Sequence, residues 1–358
     1  MHAVDACLFR RIALLSGVAR LLRIAMWGAG VLVALLILWA LHPAFTAPIF
    51  GPKSVSLLAP VDLGGVRQWV LVRGVDRTKP ILLFLHGGPG MPMTYLAHAF
   101  QRPLEQDFLV VQWDRRGAGK SYSPEIHPTT LRTSQELADA QQLIAWLQAR
   151  YGRRPVIVVG HSYGSYLGVA LARARPDLVR AYVGVGQVAC SDAEEHAIQD
   201  QWLSRQATAA ADLATASEAK RGGDWDRESA LFKYGGEVVR MRSFAPLVLI
   251  GLGATEYTMA DSLNVKRGVD FTHAHFVYDG PNRPLMNSVN ALSVPTWFFI
   301  GRRDYTTPWP CQTRYFDAIS APQKHLVWFE HSAHFPFLEE PQAFHREMLR
   351  VARMTAAR

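Results

Sequence analysis

At 358 residues the chain has room for one large or two ordinary domains, and its 49% hydrophobic share suffices for a sizeable core, which excludes a disordered or low-complexity protein. The formal net charge of +8 is scattered: Arg10, Arg11, Arg20 and Arg23 gather at the N-terminus, and the rest forms no lysine–arginine block or interleaved aromatic stripe. That pattern argues against a nucleic-acid partner.

Ile24 to Leu41 is an unbroken apolar run with Trp27 and Trp39 near its ends. It has the length of a bilayer-spanning helix. With arginines before it, the positive-inside rule predicts a cytoplasmic N-terminus and an extracytoplasmic remainder, periplasmic in a Gram-negative bacterium. No small-x-small pair closely follows the run, so an uncleaved anchor over residues 1–45 is favoured over a cleaved signal. Cys7 falls on the cytoplasmic side of this topology. Cys190 and Cys311 lie outside, but three cysteines make no disulfide framework and sequence separation alone gives no warrant for their pairing.

After a proline-bearing link, Ser54 to Leu58 and Val66 to Val72 read as strands turning at Gly64-Gly65. Ile81 to Leu85 is a short continuous apolar run, the pattern of a strand buried on both faces. It opens into His86-Gly87-Gly88-Pro89-Gly90. Such a loop leaves main-chain N–H groups unobstructed, as an oxyanion hole made of backbone requires. Phe108 to Trp113 is the next buried strand, followed by Asp114-Arg115-Arg116-Gly117-Ala118-Gly119-Lys120-Ser121. Its Gly-Lys-Ser ending lacks the G-x-x-x-x-G-K-S spacing, so this is not a phosphate loop. Asp114 is expected to pair with Arg115 or Arg116 and fix the loop beside the site.

Leu137, Leu143, Ile144 and Leu147 recur at helical spacing across Ser134 to Arg150. Val156 to Val159 is then a strand that runs into Gly160-His161-Ser162-Tyr163-Gly164, and alanine- and leucine-rich helical sequence follows. Strand, G-x-S-x-G and helix together are the context of a nucleophile elbow, with Ser162 Oγ exposed at the carboxyl edge of a sheet. A serine there needs a base, an acid and oxyanion donors. The donors expected are the N–H groups of Gly88 and Tyr163, with Gly87 in reserve for the first. His161 reads as packing.

Ala181 to Val185 closes the first part of the core, residues 46–190. From 191 to 293 the sequence becomes alanine- and charge-rich and helical, broken at Gly222-Gly223 and Gly235-Gly236, which predicts an inserted helical cap. Residues 294–358 return to the core. Val294 to Ile300 is a strand ending near Asp304, where a carboxylate can hold an imidazole tautomer. Leu326 to Phe329 delivers a loop with two histidines, His331 and His334; position alone leaves both open as the base. The alternation of strands and helices predicts an α/β fold with a mainly parallel sheet.

These motifs resemble the α/β-hydrolase superfamily and, within it, the proline iminopeptidase family of serine peptidases, over residues 54–352. The resemblance rests on His86-Gly87-Gly88-Pro89-Gly90, the stretch Asp114 to Ser121 and the elbow. It implies about eight strands with a helical cap inserted after the sixth. It also implies Asp304 as the triad acid and His334, before Phe335-Pro336, as the base. The chain departs from that family in having Tyr163 where tryptophan is usual, in its N-terminal anchor, and in showing no motif for the cap glutamates that hold a substrate amine. Glu194, Glu195, Glu228, Glu237 and Glu256 are the candidates.

The expected activity is hydrolysis of a small-molecule or short-peptide substrate by Ser162, His334 and Asp304, with no metal or organic cofactor. A proline iminopeptidase-like aminopeptidase is favoured over a carboxylesterase. A non-catalytic binding protein on the same fold would carry damage to the triad or the oxyanion loop, and none is visible.

Overall fold

The computed structural model describes residues 20–34, 37 and 42–356. Residues 20–34 form helix α1. The expected bilayer span at 24–41 falls partly on residues 35, 36 and 38–41, outside the described ones. Among the described residues no helix is long and apolar enough to cross a membrane, so the expected single-pass anchor does not appear among them as a spanning helix.

Eight strands build one sheet: β1 (Val55–Leu63), β2 (Val66–Gly74), β3 (Ile81–Leu85), β4 (Leu109–Asp114), β5 (Val156–His161), β6 (Val179–Val185), β7 (Thr296–Gly301) and β8 (Lys324–Phe329). Their spatial order is β1-β2-β4-β3-β5-β6-β7-β8. Strand β2 runs antiparallel to both β1 and β4, and every other pairing is parallel. The first strand extends to Leu63, beyond the expected Leu58, because the hairpin register pairs it along its whole length, from Val55 with Gly74 to Leu63 with Val66.

Side chains alternate between two cores, as the period of a strand dictates. Ile81, Leu83 and Leu85 face one core while Leu82 and Phe84 face the other; Val156 and Val158 part from Ile157 and Val159 in the same way. Helices α2 (Ala97–Phe100), α3 (Thr133–Tyr151) and α4 (Tyr163–Ala174) follow β3, β4 and β5. The first core is roofed by Leu143, Ile144 and Leu147 of α3 and by Tyr166, Leu167 and Leu171 of α4.

Between β6 and β7 the chain is helical: α5 (Asp192–Ala209), α6 (Leu213–Arg221), α7 (Asp224–Tyr234), α8 (Ala245–Leu252), α9 (Met259–His275) and α10 (Leu285–Ser288). The glycine pairs read as breaks stand between α6 and α7 and directly after α7. Helix α11 (Trp309–Ala318) follows β7, and α12 (Pro336–Glu339) and α13 (Pro341–Met354) follow β8. Phe344, Met348 and Val351 of α13 roof the second core.

Among the ties that hold this insert to the rest are contacts from the link after α1 and a disulfide at its base. The link after α1 lies against it, with Phe45 N–H donating to Thr255 O at 2.9 Å and Thr46 Oγ1 to Glu256 Oε1 at 2.9 Å. Cys190, just before α5, forms a disulfide with Cys311 of α11 across a Cα–Cα distance of 5.6 Å. The sequence left that pairing open.

Candidate active site

Strand β5 ends at His161, and the chain reverses through Ser162 at φ 55 and ψ −126 into α4. A non-glycine residue in that region is strained and persists only where its surroundings over-determine it. Here the Ser162 N–H donates to Val185 O at 3.0 Å, and Ser162 O accepts from Ser165 N–H at 2.8 Å. Glycine is required two residues on, because a Cβ on Gly164 would stand 2.0 Å from Leu85 O.

Leu85 also starts the glycine loop that passes beside the elbow: a Cβ on Gly87 would lie 3.0 Å from Ser162 Cβ. Arg115 fixes this loop, donating from Nη1 to His86 O at 2.6 Å and from Nη2 to Gly87 O at 3.1 Å. With those carbonyls held on Arg115, the N–H groups of Gly88 and Tyr163 are not spent on other protein groups among the described residues.

The expected Asp114–arginine pair does not form. Asp114 accepts from Thr94 Oγ1 at 2.6 Å, from Lys120 N–H at 3.0 Å and from Tyr257 OH. Burial pushes its carboxyl up to about 6 against those hydrogen bonds. The arginines turn instead to buried carboxylates on α3, Arg115 Nε lying 3.2 Å from Glu136 Oε2 and Arg116 Nη2 2.9 Å from Asp139 Oδ2. With both guanidiniums taken up by α3, Asp114 is left to the hydroxyls of Thr94 and Tyr257 and the Lys120 N–H.

Asp304 follows β7 and is fully buried. Its Oδ1 accepts the N–H groups of Thr306 (3.1 Å) and Thr307 (3.0 Å), and its Oδ2 accepts from Gln312 Nε2 at 2.9 Å. The same Oδ2 lies 3.0 Å from His334 Nδ1. His331, the competing histidine, is exposed in the same loop. Burial alone would lower the His334 imidazole; the charges of Asp304 and Glu237 and the Asp304 hydrogen bond outweigh it and raise it to about 9. His161 packs beneath, its ring centroid 4.5 Å from that of His334 and its Nε2 2.9 Å from His334 O.

Ser162 and His334 line one cavity of about 180 Å³ together with Gly87 and Gly88. Among the described residues no hydrogen bond joins Ser162 Oγ to His334. Catalytic hydrogen bonds are often open before substrate binds. Met93, Tyr95, Phe244, Leu247 and Val269 make most of the cavity wall apolar, and Glu228 and Glu237 interrupt it.

The five insert glutamates thus separate. Glu194 pairs with Arg314, Glu195 with Arg283, and Glu256 with Thr46, whereas Glu228 and Glu237 reach the Ser162 cavity. Glu237 is 4% exposed, and its carboxylate accepts from Thr306 Oγ1 while its main-chain O accepts from His334 N–H at 2.9 Å. Burial raises its carboxyl, His334 opposing. The loop after β7 holds the same stretch through Tyr305 N–H to Gly236 O at 3.0 Å, and Trp202 of α5 stacks on Tyr305 at 4.3 Å. Gly235-Gly236 was legible as a break and Glu237 as one of five candidate glutamates; the break is one place where the insert meets the loops that carry Asp304 and His334.

The sequence profile for the alpha/beta hydrolase fold matches residues 80–341. Over 310 residues, 84% of this chain and 98% of the relative, the sequence is 31% identical to the protein named "Probable aminopeptidase YbaC" from Bacillus subtilis. It is 27% identical to a proline iminopeptidase of Heyndrickxia coagulans over 271 residues, 74% of this chain and 87% of that one. A solved proline iminopeptidase structure from Mycobacterium smegmatis superposes with a TM-score of 0.62 at 19% identity, covering 84% of this chain and 99% of that chain, a likeness of fold.

Proposed function

Since this chain belongs to the α/β-hydrolase fold family and is a hydrolase resembling the proline iminopeptidases, we propose that it is a serine aminopeptidase that removes an N-terminal residue, proline by preference, from short peptides. Ser162 Oγ attacks the scissile carbonyl carbon while His334 Nε2 takes its proton. Asp304 holds the opposite ring nitrogen and stabilises the imidazolium. The N–H groups of Gly88 and Tyr163 receive the oxyanion. His334 then protonates the leaving nitrogen, the C–N bond breaks and an acyl-Ser162 ester remains. Water adds to that ester with His334 again as base, releasing the free acid and restoring the serine.

The observation that carries the peptidase reading is the buried Glu237 carboxylate in an otherwise apolar cavity beside Ser162, with Glu228 as a second carboxylate in the same wall. A buried anion calls for a cation, and a substrate ammonium supplies one. The test is a comparison of proline p-nitroanilide, its N-acetyl form and a short-chain nitrophenyl ester. Strong preference for the free amine is expected; equal rates on both anilides, or turnover of the ester alone, would remove the aminopeptidase and leave a serine esterase, which the apolar wall of Phe244 and Leu247 favours as second reading.

The proposal includes a membrane tether with an extracytoplasmic hydrolase. Supporting it are the exposed Leu21, Leu22, Ile24 and Trp27 of α1 and a disulfide, a bond that persists where thiols are oxidised. Activity should sediment with membranes and become soluble when residues 1–45 are deleted. Protection of the hydrolase from protease added to spheroplasts would reverse the orientation.

A further inference from the structure

A second cavity of about 620 Å³ adjoins the one that holds Ser162, with Glu228 and Thr306 lining both. Its character is different. Glu195 and Gln199 of α5, Arg227 of α7 and Arg283 make its wall polar and charged.

Arg283 is committed to the framework: Nη1 meets Asp192, Nη2 lies 2.8 Å from Glu195 Oε2, and Nε donates to Cys190 O at 2.8 Å. The other groups have capacity left. Gln199 Nε2 donates to Thr306 O at 2.9 Å, yet Gln199 Oε1 and Glu195 Oε1 are buried with no hydrogen-bond partner. Both side chains belong to residues at least nine-tenths buried, Glu195 being 9% and Gln199 5% exposed. A buried acceptor without a donor is costly, so this pair marks a place where a donor arrives. Burial pushes the Glu195 carboxyl up to about 7, Arg283 opposing, which suits a neutral N–H better than a second cation. Arg227 spends Nη1 on Asp200, and its other guanidinium N–H groups remain for an anion at the wall.

The shared wall sets the direction. Thr306 precedes Thr307, whose Oγ1 lies 3.0 Å from Asp304 Oδ2 and 3.3 Å from His334 Nδ1. That contact is on Nδ1, the ring nitrogen held by Asp304, and places the partition beside His334; with Glu237 on the Ser162 side to take the substrate amine, the adjoining cavity is left for the residues after the scissile bond.

We propose that the second cavity is the leaving-side subsite, which takes the one or two residues after the scissile bond, meeting their N–H groups with Gln199 and Glu195 and their free terminal carboxylate with Arg227. This rests on the aminopeptidase reading, and it makes the substrate class short peptides with a free carboxyl end. Measured as kcat/KM, Pro-Ala should exceed Pro-Ala amide by roughly tenfold, mostly through KM, as one charge-assisted hydrogen bond implies. Arg227→Gln should erase that ratio and Arg227→Lys restore part of it. Gln199→Leu should raise KM for both peptides. Calorimetric titration of Pro-Ala and its amide into Ser162→Ala protein, with and without Arg227→Gln, reads the same preference without turnover. Equal affinity for acid and amide with Arg227 present would overturn the subsite even if proline p-nitroanilide is cleaved. Failure to cleave the anilide, with the acid still preferred in binding, would instead remove the peptidase and with it the leaving-side role, keeping only the Arg227 carboxylate contact.

Discussion

The sheet and the helical insert are built under opposite constraints. Strands β3, β5 and β7 are buried at every position, while the insert exposes large apolar side chains, among them Leu249 at 69% and Leu263 at 55%. Ser162 and Asp304 follow the buried strands β5 and β7, while His334 follows β8, which is only half-buried before Phe329; hydrogen bonds fix Ser162 and Asp304 from several directions. Glu228 and Glu237 come from the insert, and Glu237 is placed by contacts that the catalytic loops make back to it. On the proposed reading the difference is a division of labour: the loops at the strand ends fix what reaction can occur, and the insert selects the molecule that undergoes it.

The sharpest way to break that division is at the sheet edge. Ser162→Ala, Asp304→Asn and His334→Ala should each lower kcat by about three or more orders of magnitude, because the three act as a unit. Circular dichroism should show each variant folded. Exposed His331→Ala should leave kcat near wild type, and the reverse result for the two histidines would exchange their roles.

Stability offers the next contrast. Leu83→Ala removes a fully buried side chain from β3 and should cost about 2–5 kcal/mol in denaturant unfolding. Leu249→Ala on the exposed face of α8 should stay within about 0.5 kcal/mol. A comparable loss at both would mean that a partner covers α8.

A smaller effect connects the two regions. With His334 raised to about 9, the neutral imidazole able to accept a proton is the minor form at neutral pH. kcat/KM on the nitrophenyl ester, which has no amine of its own to titrate, should therefore rise with pH and level off above about 9. Glu237→Gln removes an anion that favours the imidazolium, so the rising limb should move to lower pH, by roughly one unit. An unmoved limb would mean that Glu237 acts on the substrate alone.

Most of the sheet was legible because burial writes itself into short apolar runs: β3, β5 and the start of α4 lie where period and glycine put them. The elbow was legible for the same reason, since Gly160 and Gly164 serve a local turn. Asp304 and His334 stand near strand ends, and their side chains meet across 3.0 Å. What could not be read depends on distant packing. Glu237 differs from Glu194 only in what the folded chain brings near it. The partners of Asp114 come from Thr94 and from Tyr257, 143 positions away, and no local pattern announces them. Cys190 and Cys311 are brought together by β6, β7 and α11, which three scattered cysteines cannot convey.

Their disulfide has a consequence beyond the site. It closes a covalent ring across a separation of 121 residues, and the whole insert, β7 and Asp304 lie inside that ring. A protease that cuts the exposed Gly222-Gly223 turn opens the ring without dividing the molecule. The nicked chain keeps both pieces joined, migrates as one species until a reductant is added, and cannot lose its acid-bearing strand by diffusion. Such a chain outlasts its own first cut.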